Sequence, residues 1–144
     1  MATFSCNDID GLILSMEEFA RLPDNAIEDI LVAGAEVVRK AHVEAIGSTF
    51  QQRTGQLMKS PAIVIRRDKG PVAYIYPRGD HHIYHAKGGG STVASDQDVG
   101  FVHEFGGHGN PATAWMLNAN EKCAEATVDA EEKALDKWLN SLNL

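Results

Sequence analysis

Residues 24–50 read DNAIEDILVAGAEVVRKAHVEAIGSTF. Ile27, Ile30, Leu31, Gly34, Val37, Val38, Ala41, Ala45 and Phe50 fall on one stripe at helical spacing, and Glu28, Asp29, Glu36, Arg39, Lys40 and Glu44 take the other face. This spacing predicts a long amphipathic helix. Asp24 or Asn25 supplies its N-cap, directly after Pro23. Acids gather early in the segment and bases later, which suits the helix dipole. Gly34, Ala41 and Ala45 are small, so a neighbouring element approaches closely there.

Upstream, Ser15 with Glu18 three residues later fits a capping box for a short helix over Met16–Leu22, which Pro23 stops. Downstream of Thr54–Gly55 the period changes. Ala62–Arg66 and Ala73–Tyr76 read as strands rich in β-branched and aromatic residues, joined by the polar turn RRDKGP. His81–His85 reads as a third strand or as part of a loop. Lys87–Asp98, KGGGSTVASDQD, reads as a mobile glycine-rich loop. Val99–Phe105 reads as a last strand, ended by Gly106, Gly107 and Gly109. Asn110–Pro111 then reads as an N-cap followed by a first-turn proline, opening a helix from Ala112 to about Leu142. Trp115, Ala119, Cys123, Ala126, Ala130, Leu135, Trp138, Leu139 and Leu142 share its apolar side. The expected class is α+β: one domain over residues 1–144, with an antiparallel or mixed sheet covered by a long N-terminal and a long C-terminal helix.

The chain has 144 residues, 44% hydrophobic and 23% charged, which places it among globular domains and outside the disordered class. It contains no apolar run long enough to span a bilayer. The start, MATFSCNDIDGLIL, lacks a basic n-region, so a secretory signal is not expected. Cys6 and Cys123 are the only cysteines, and two thiols so far apart read as reduced and packed. The net charge of −7 is unevenly spread: −7 over residues 1–36, +6 over 37–90 and −6 over 91–144. Either these segments neutralise one another within one molecule, or basic and acidic faces meet between copies.

Several motifs invite chemistry. His81, His82 and His85 form one histidine cluster, and His103 and His108 bracket HEFGGH. The zinc-protease signature needs its histidines four apart on a helix. Here they are five apart with Gly106–Gly107 between them, so both clusters read as exposed turn histidines rather than metal ligands. There is no Gly-x-Ser-x-Gly elbow and no phosphate-cradling loop, since Gly88–Gly90 lack a following Gly-Lys-Ser/Thr. Glu104 is the one acid in an apolar segment. It reads as a structural acceptor for backbone N–H groups or a partner for arginine, with a general base as the alternative. Arg66, Arg67, Lys69 and Arg78, with Tyr74 and Tyr76 nearby, read as a solvated turn with core tyrosines. The alternative is a grip on nucleic acid or on a neighbouring subunit.

Three segments together resemble a known family. They are Thr54-Gly55-Gln56-Leu57 after the long helix, Val102-His103-Glu104-Phe105-Gly106, and Pro111-Ala112-Thr113-Ala114-Trp115-Met116-Leu117-Asn118-Ala119 at the start of the last helix. In this order they resemble the tail-completion, or head–tail joining (neck), proteins of long-tailed bacteriophages, over roughly residues 25–142. Two departures stand out. Relatives often carry Gly-Thr after Glu-Phe, where this chain has Gly106-Gly107, and a proline–aromatic pair where it has Ala114-Trp115.

The resemblance implies a non-enzymatic virion protein without cofactor or metal, made in the host cytoplasm and located in the neck. It implies a sixfold homo-oligomeric ring between head-closure or connector proteins and the tail tube or terminator. DNA passes through such a ring without sequence-specific recognition, and no membrane is involved. On this reading Gly55 supplies a positive φ, and Phe105 and Trp115 anchor the last strand on the final helix. Thr54, Leu57, Val102, Glu104, Gly106, Pro111, Ala112, Leu117 and Ala119 are fold-determining. Gly88, Gly89, Gly90, Ser91 and Thr92 belong to a loop that orders against an adjacent subunit. The alternatives are a small metal-dependent hydrolase using His103 and His108, and a DNA-binding module using residues 66–78.

Overall fold

The computed structural model describes residues 22–50, 55–79, 82–85, 88–107 and 109–142. Cys6, the capping box at Ser15 and Glu18, Thr54, His81, Lys87 and His108 lie outside the described residues. The class is α+β. Helix α1 spans Asp24–Thr49 and α2 Gln56–Lys59; strands β1 (Pro61–Arg66) and β2 (Val72–Pro77) follow, then β3 (His82–His85), β4 (Ser91–Ala94), α3 (Asp96–Phe105) and α4 (Trp115–Ser141).

The strands form two separate antiparallel pairs rather than one sheet. In the first, Pro61 pairs with Pro77 and Arg66 with Val72. In the second, His82 pairs with Ala94 and His85 with Ser91. A lone two-stranded hairpin is marginal in water. Here α1 packs along the first hairpin and, on another flank, against α4. Close approach to α4 falls at Gly34, where a Cβ would sit 2.7 Å from the Glu131 Cγ.

The first cap differs from expectation. Pro23 is the N-cap residue of α1, with no side-chain bond, and Asp24 contributes its charge in the first turn. The apolar stripe is also rotated. Ala26, Gly34, Ala35, His42 and Ile46 are the buried positions, while most of the expected stripe is half-buried. The helix serves two neighbours at once, so its buried arc is wider than a single stripe.

The stretch 87–98 is not a single loop. Gly88–Gly90 form an exposed turn, Ser91–Ala94 a strand, and Asp96 opens a helix. Val99–Phe105, expected as a strand, is the body of that helix. Ser95 caps it, its hydroxyl accepting from the Asp98 N–H at 3.0 Å, and Asp96 and Asp98 sit in its first turn. Short apolar runs do not distinguish strand from helix by periodicity. The Ser-x-x-Asp start decided for helix. The Asp96 N–H is held by the Gly79 carbonyl at 2.6 Å, which ties α3 to the end of β2.

Among the described residues, no helix is long and apolar enough to cross a membrane.

Candidate functional site: a locked corner between α3 and α4

The core joins Ile46 of α1, Leu57 of α2, Val99 of α3 and Trp115 of α4. Trp115 is 1% exposed and central. Its indole N–H donates to the Gly100 carbonyl at 3.0 Å. Its ring meets His42 edge-on at 5.3 Å and Phe50 at 6.4 Å. Gly100 also lets α3 lie on buried Pro77, since a Cβ there would sit 2.7 Å from the Pro77 Cγ. The indole, the end of the hairpin and α3 therefore form one contact.

Glu104 completes the corner. The last turn of α3 carries it toward α4, where its two carboxylate oxygens accept from the Met116 N–H at 2.6 Å and the Leu117 N–H at 3.1 Å. A negative charge on the first free amides of a helix satisfies two orphan donors and opposes the positive end of the dipole. Glu104 is thus a distant N-cap, as the reading of a structural acceptor anticipated. Helix α4 starts at Trp115 and not at Ala112. Ala114 precedes it in the left-handed region, at φ 49°. Asn110 is not the cap. It closes a small loop with Gly107 through two backbone bonds of 3.0 and 2.9 Å. Pro111 and Ala112 lie in the non-helical link. The His103 carbonyl accepts from both the Thr113 N–H and its hydroxyl, at 2.9 and 2.7 Å.

Gly106 ends α3 at φ 82°, and a Cβ there would lie 3.0 Å from the Ala112 nitrogen. Only glycine meets both demands. Gly55, at φ 71°, is the N-cap residue of α2 and delivers Leu57 into the core. Ala119 is buried one turn after Trp115 on α4, and Val102 is half-buried. Two motif residues do not behave as anchors. Phe105 is 74% exposed, because the helix turns it outward beside Phe101, and Leu117 is 53% exposed.

His42 was missed in the sequence, where it sits at the edge of the apolar stripe. It is buried, with Nε2 2.8 Å from Asn120 Oδ1. Its Nδ1 has no hydrogen-bond partner among the described residues. Burial pushes its pKa below the ordinary 6.5, against the opposing pull of the Asn120 bond and the Glu104 charge. Burial thus favours the neutral imidazole. Its spacing of four from Val38 and three from Ala45, both on the apolar stripe, was the signal for an inward position.

His103 is not a turn residue. It stands in α3 with its ring 4.5 Å from Phe50. Among the described residues no three His, Cys, Asp or Glu side chains gather to hold a metal ion. Cys123 is a free buried thiol on α4. It borders an open groove of about 610 Å³ between α1 and α4, floored by Ala41, Ala45 and Ala119.

The basic set does not converge on this corner. Arg67 is a salt-bridge partner of Glu28, with Nη2 to Oε2 at 2.8 Å. That pair holds the Glu28 carboxyl below its usual range and raises the Arg67 pKa. The Arg66 guanidinium lies 5.4 Å above the Tyr74 ring. Tyr74 is 46% exposed and so is no core residue. Lys69 and Arg78 are exposed.

The chain matches no model of a known family, no curated protein and no solved structure.

Proposed function

We propose that this chain is a structural virion protein that joins a phage tail to its head, building a ring in the neck around the DNA passage. The observation that carries the reading is the use made of Glu104. Both of its oxygens are committed to the amides that open α4, so the one acid placed as a general base serves as a cap. The segments that resemble the tail-completion family touch one another at this corner: Leu57 of the first shares the core with Trp115 of the third, and Glu104 and Gly106 of the second meet the Met116 and Leu117 amides and the Ala112 backbone of the third. Glu104 and Thr113 hold backbone, and Leu57, Trp115 and Ala119 are buried. A corner of this kind sets the angle between α3 and α4 and leaves partner contacts to the outer surface. The exposed Gly88–Gly90 turn is one such surface, offered to an adjacent ring or tube subunit.

The experiment is in vitro joining. Phage lacking this chain accumulates separate filled heads and finished tails, and adding the purified protein joins them into infectious particles. Labelled protein is then found at the neck by electron cryomicroscopy. Normal particles without the chain, or label elsewhere in the particle, overturn the proposal.

A further inference from the structure

The first hairpin leaves one face uncovered. Side chains alternate along a strand, so Val72, Tyr74, Tyr76 and, past the strand end, Arg78 point one way. Their register partners on that face include Val64 and Arg66. Val72 and Tyr74 are 45% and 46% exposed, and Arg66 and Arg78 are exposed beside them. Among the described cations of this hairpin, only Arg67 forms a salt bridge within the chain, with Glu28. The result is an apolar and aromatic sheet face edged by positive charge.

The last helix presents the complement. Trp115, Ala119 and Cys123 are its buried side. Beside it Glu121, Glu125, Val128 and Glu132 recur at spacings of four, three and four residues, and all are exposed; Val128 and Glu132 also border a groove shared with Ile27, Ile30 and Leu31 of α1. Val128 is 51% exposed, an apolar residue within an acidic stripe. Helix α1 packs against both the hairpin and α4, and so stands between them within one molecule.

We infer that the uncovered hairpin face docks on the exposed acidic stripe of α4 from a second copy of this chain. Tyr74 and Val72 meet Val128, and Arg66 and Arg78 meet Glu121, Glu125 and Glu132. The two faces are different, so the contact is head-to-tail, and each copy keeps one free face of each kind for the next. The inference rests on the ring-building reading for its choice of a second copy as the occupant. The pairing of the faces stands on their charge and exposure. Complementary fields also speed encounter and fix its orientation.

The test uses the full chain in sedimentation velocity at about 20 mM and about 500 mM salt, a range over which exposed charges pass from weakly to strongly screened. The wild type is expected to associate at low salt and to dissociate at high salt. A variant with Glu121→Lys, Glu125→Lys and Glu132→Lys has two basic faces, and one with Arg66→Glu and Arg78→Glu has two acidic faces. Each loses self-association by about tenfold or more in Kd, and their equimolar mixture associates again. All five positions are exposed, and circular dichroism checks that both variants fold.

A wild type that stays monomeric at low salt and high concentration overturns the inference. So does a mixture of folded variants that stays apart. Single-stranded DNA binding that is lost in the Arg66→Glu, Arg78→Glu variant, with no change in its mass, would reassign the hairpin face to nucleic acid and overturn it too. A chain that is found in the neck yet fails these tests refutes this contact alone. A chain that associates as described but is absent from the neck refutes the joining function alone.

Discussion

The corner around Trp115 and the hairpin around Tyr74 use similar residues in opposite ways. In the corner an aromatic ring, a histidine and a carboxylate are buried together, and nearly every polar atom has a fixed backbone or side-chain partner. In the hairpin an aromatic ring and two arginines lie at the surface. One arginine leans over the ring and the other reaches Glu28 on α1. A buried polar group is costly when its partner is lost, whereas an exposed ion pair contributes little. The corner should therefore determine the fold, and the hairpin face remains free to meet a partner.

The sharpest way to break that contrast is Trp115→Ala. It removes the centre of the core and the indole bond to the Gly100 carbonyl, so urea denaturation should show a loss of about 3–5 kcal/mol. Next is Gly106→Ala, which places a side chain at φ 82° against the Ala112 backbone and should cost about 1–3 kcal/mol in the same measurement. Glu104→Gln keeps the shape but leaves the Met116 and Leu117 amides without a charged acceptor, for a loss of about 1–2 kcal/mol.

His42 gives the contrast a pH dependence. Its folded pKa lies below the ordinary 6.5 because burial disfavours the charged ring. Well above pH 6.5 neither the folded nor the unfolded chain carries this proton, and the contribution is fully present. As the pH falls from 6.5 toward the folded pKa, the unfolded chain binds a proton that the folded chain refuses, so stability declines. Denaturation midpoints measured downward from neutral pH should fall, and His42→Gln should flatten that slope. The smallest effect belongs to the hairpin. Arg67→Ala removes an exposed ion pair, and its midpoint in high salt should match that of the wild type.

Much of the corner was legible residue by residue, while its geometry was not. The 24–50 stretch announced its helix through periodicity, and Gly55 and Glu104 announced their roles through residue type and setting. The stretch 87–105 misled for a physical reason. Three glycines made the whole segment read as loop, and an apolar run after it fits strand and helix equally well. Ser95 with Asp98 was the signal that separates them, and a capping reading at that point recovers α3. The start of α4 misled differently. Asn110–Pro111 has the chemistry of a helix start, but the cap comes from Glu104, across a link that local sequence does not encode. His42 stayed hidden because a buried neutral imidazole and a surface one look alike in sequence. The hairpin strands were found almost to the residue, yet their exposed face depends on which side α1 covers.

Amide hydrogen exchange at Met116 and Leu117 tests the central claim most directly. If Glu104 locks the corner, these two amides in the wild type exchange only through global unfolding. In Glu104→Gln they exchange much faster than the fall in global stability accounts for, while the β1–β2 amides slow or speed only with that global change. Rapid exchange at Met116 and Leu117 in the wild type, or no selective change in the variant, would contradict it.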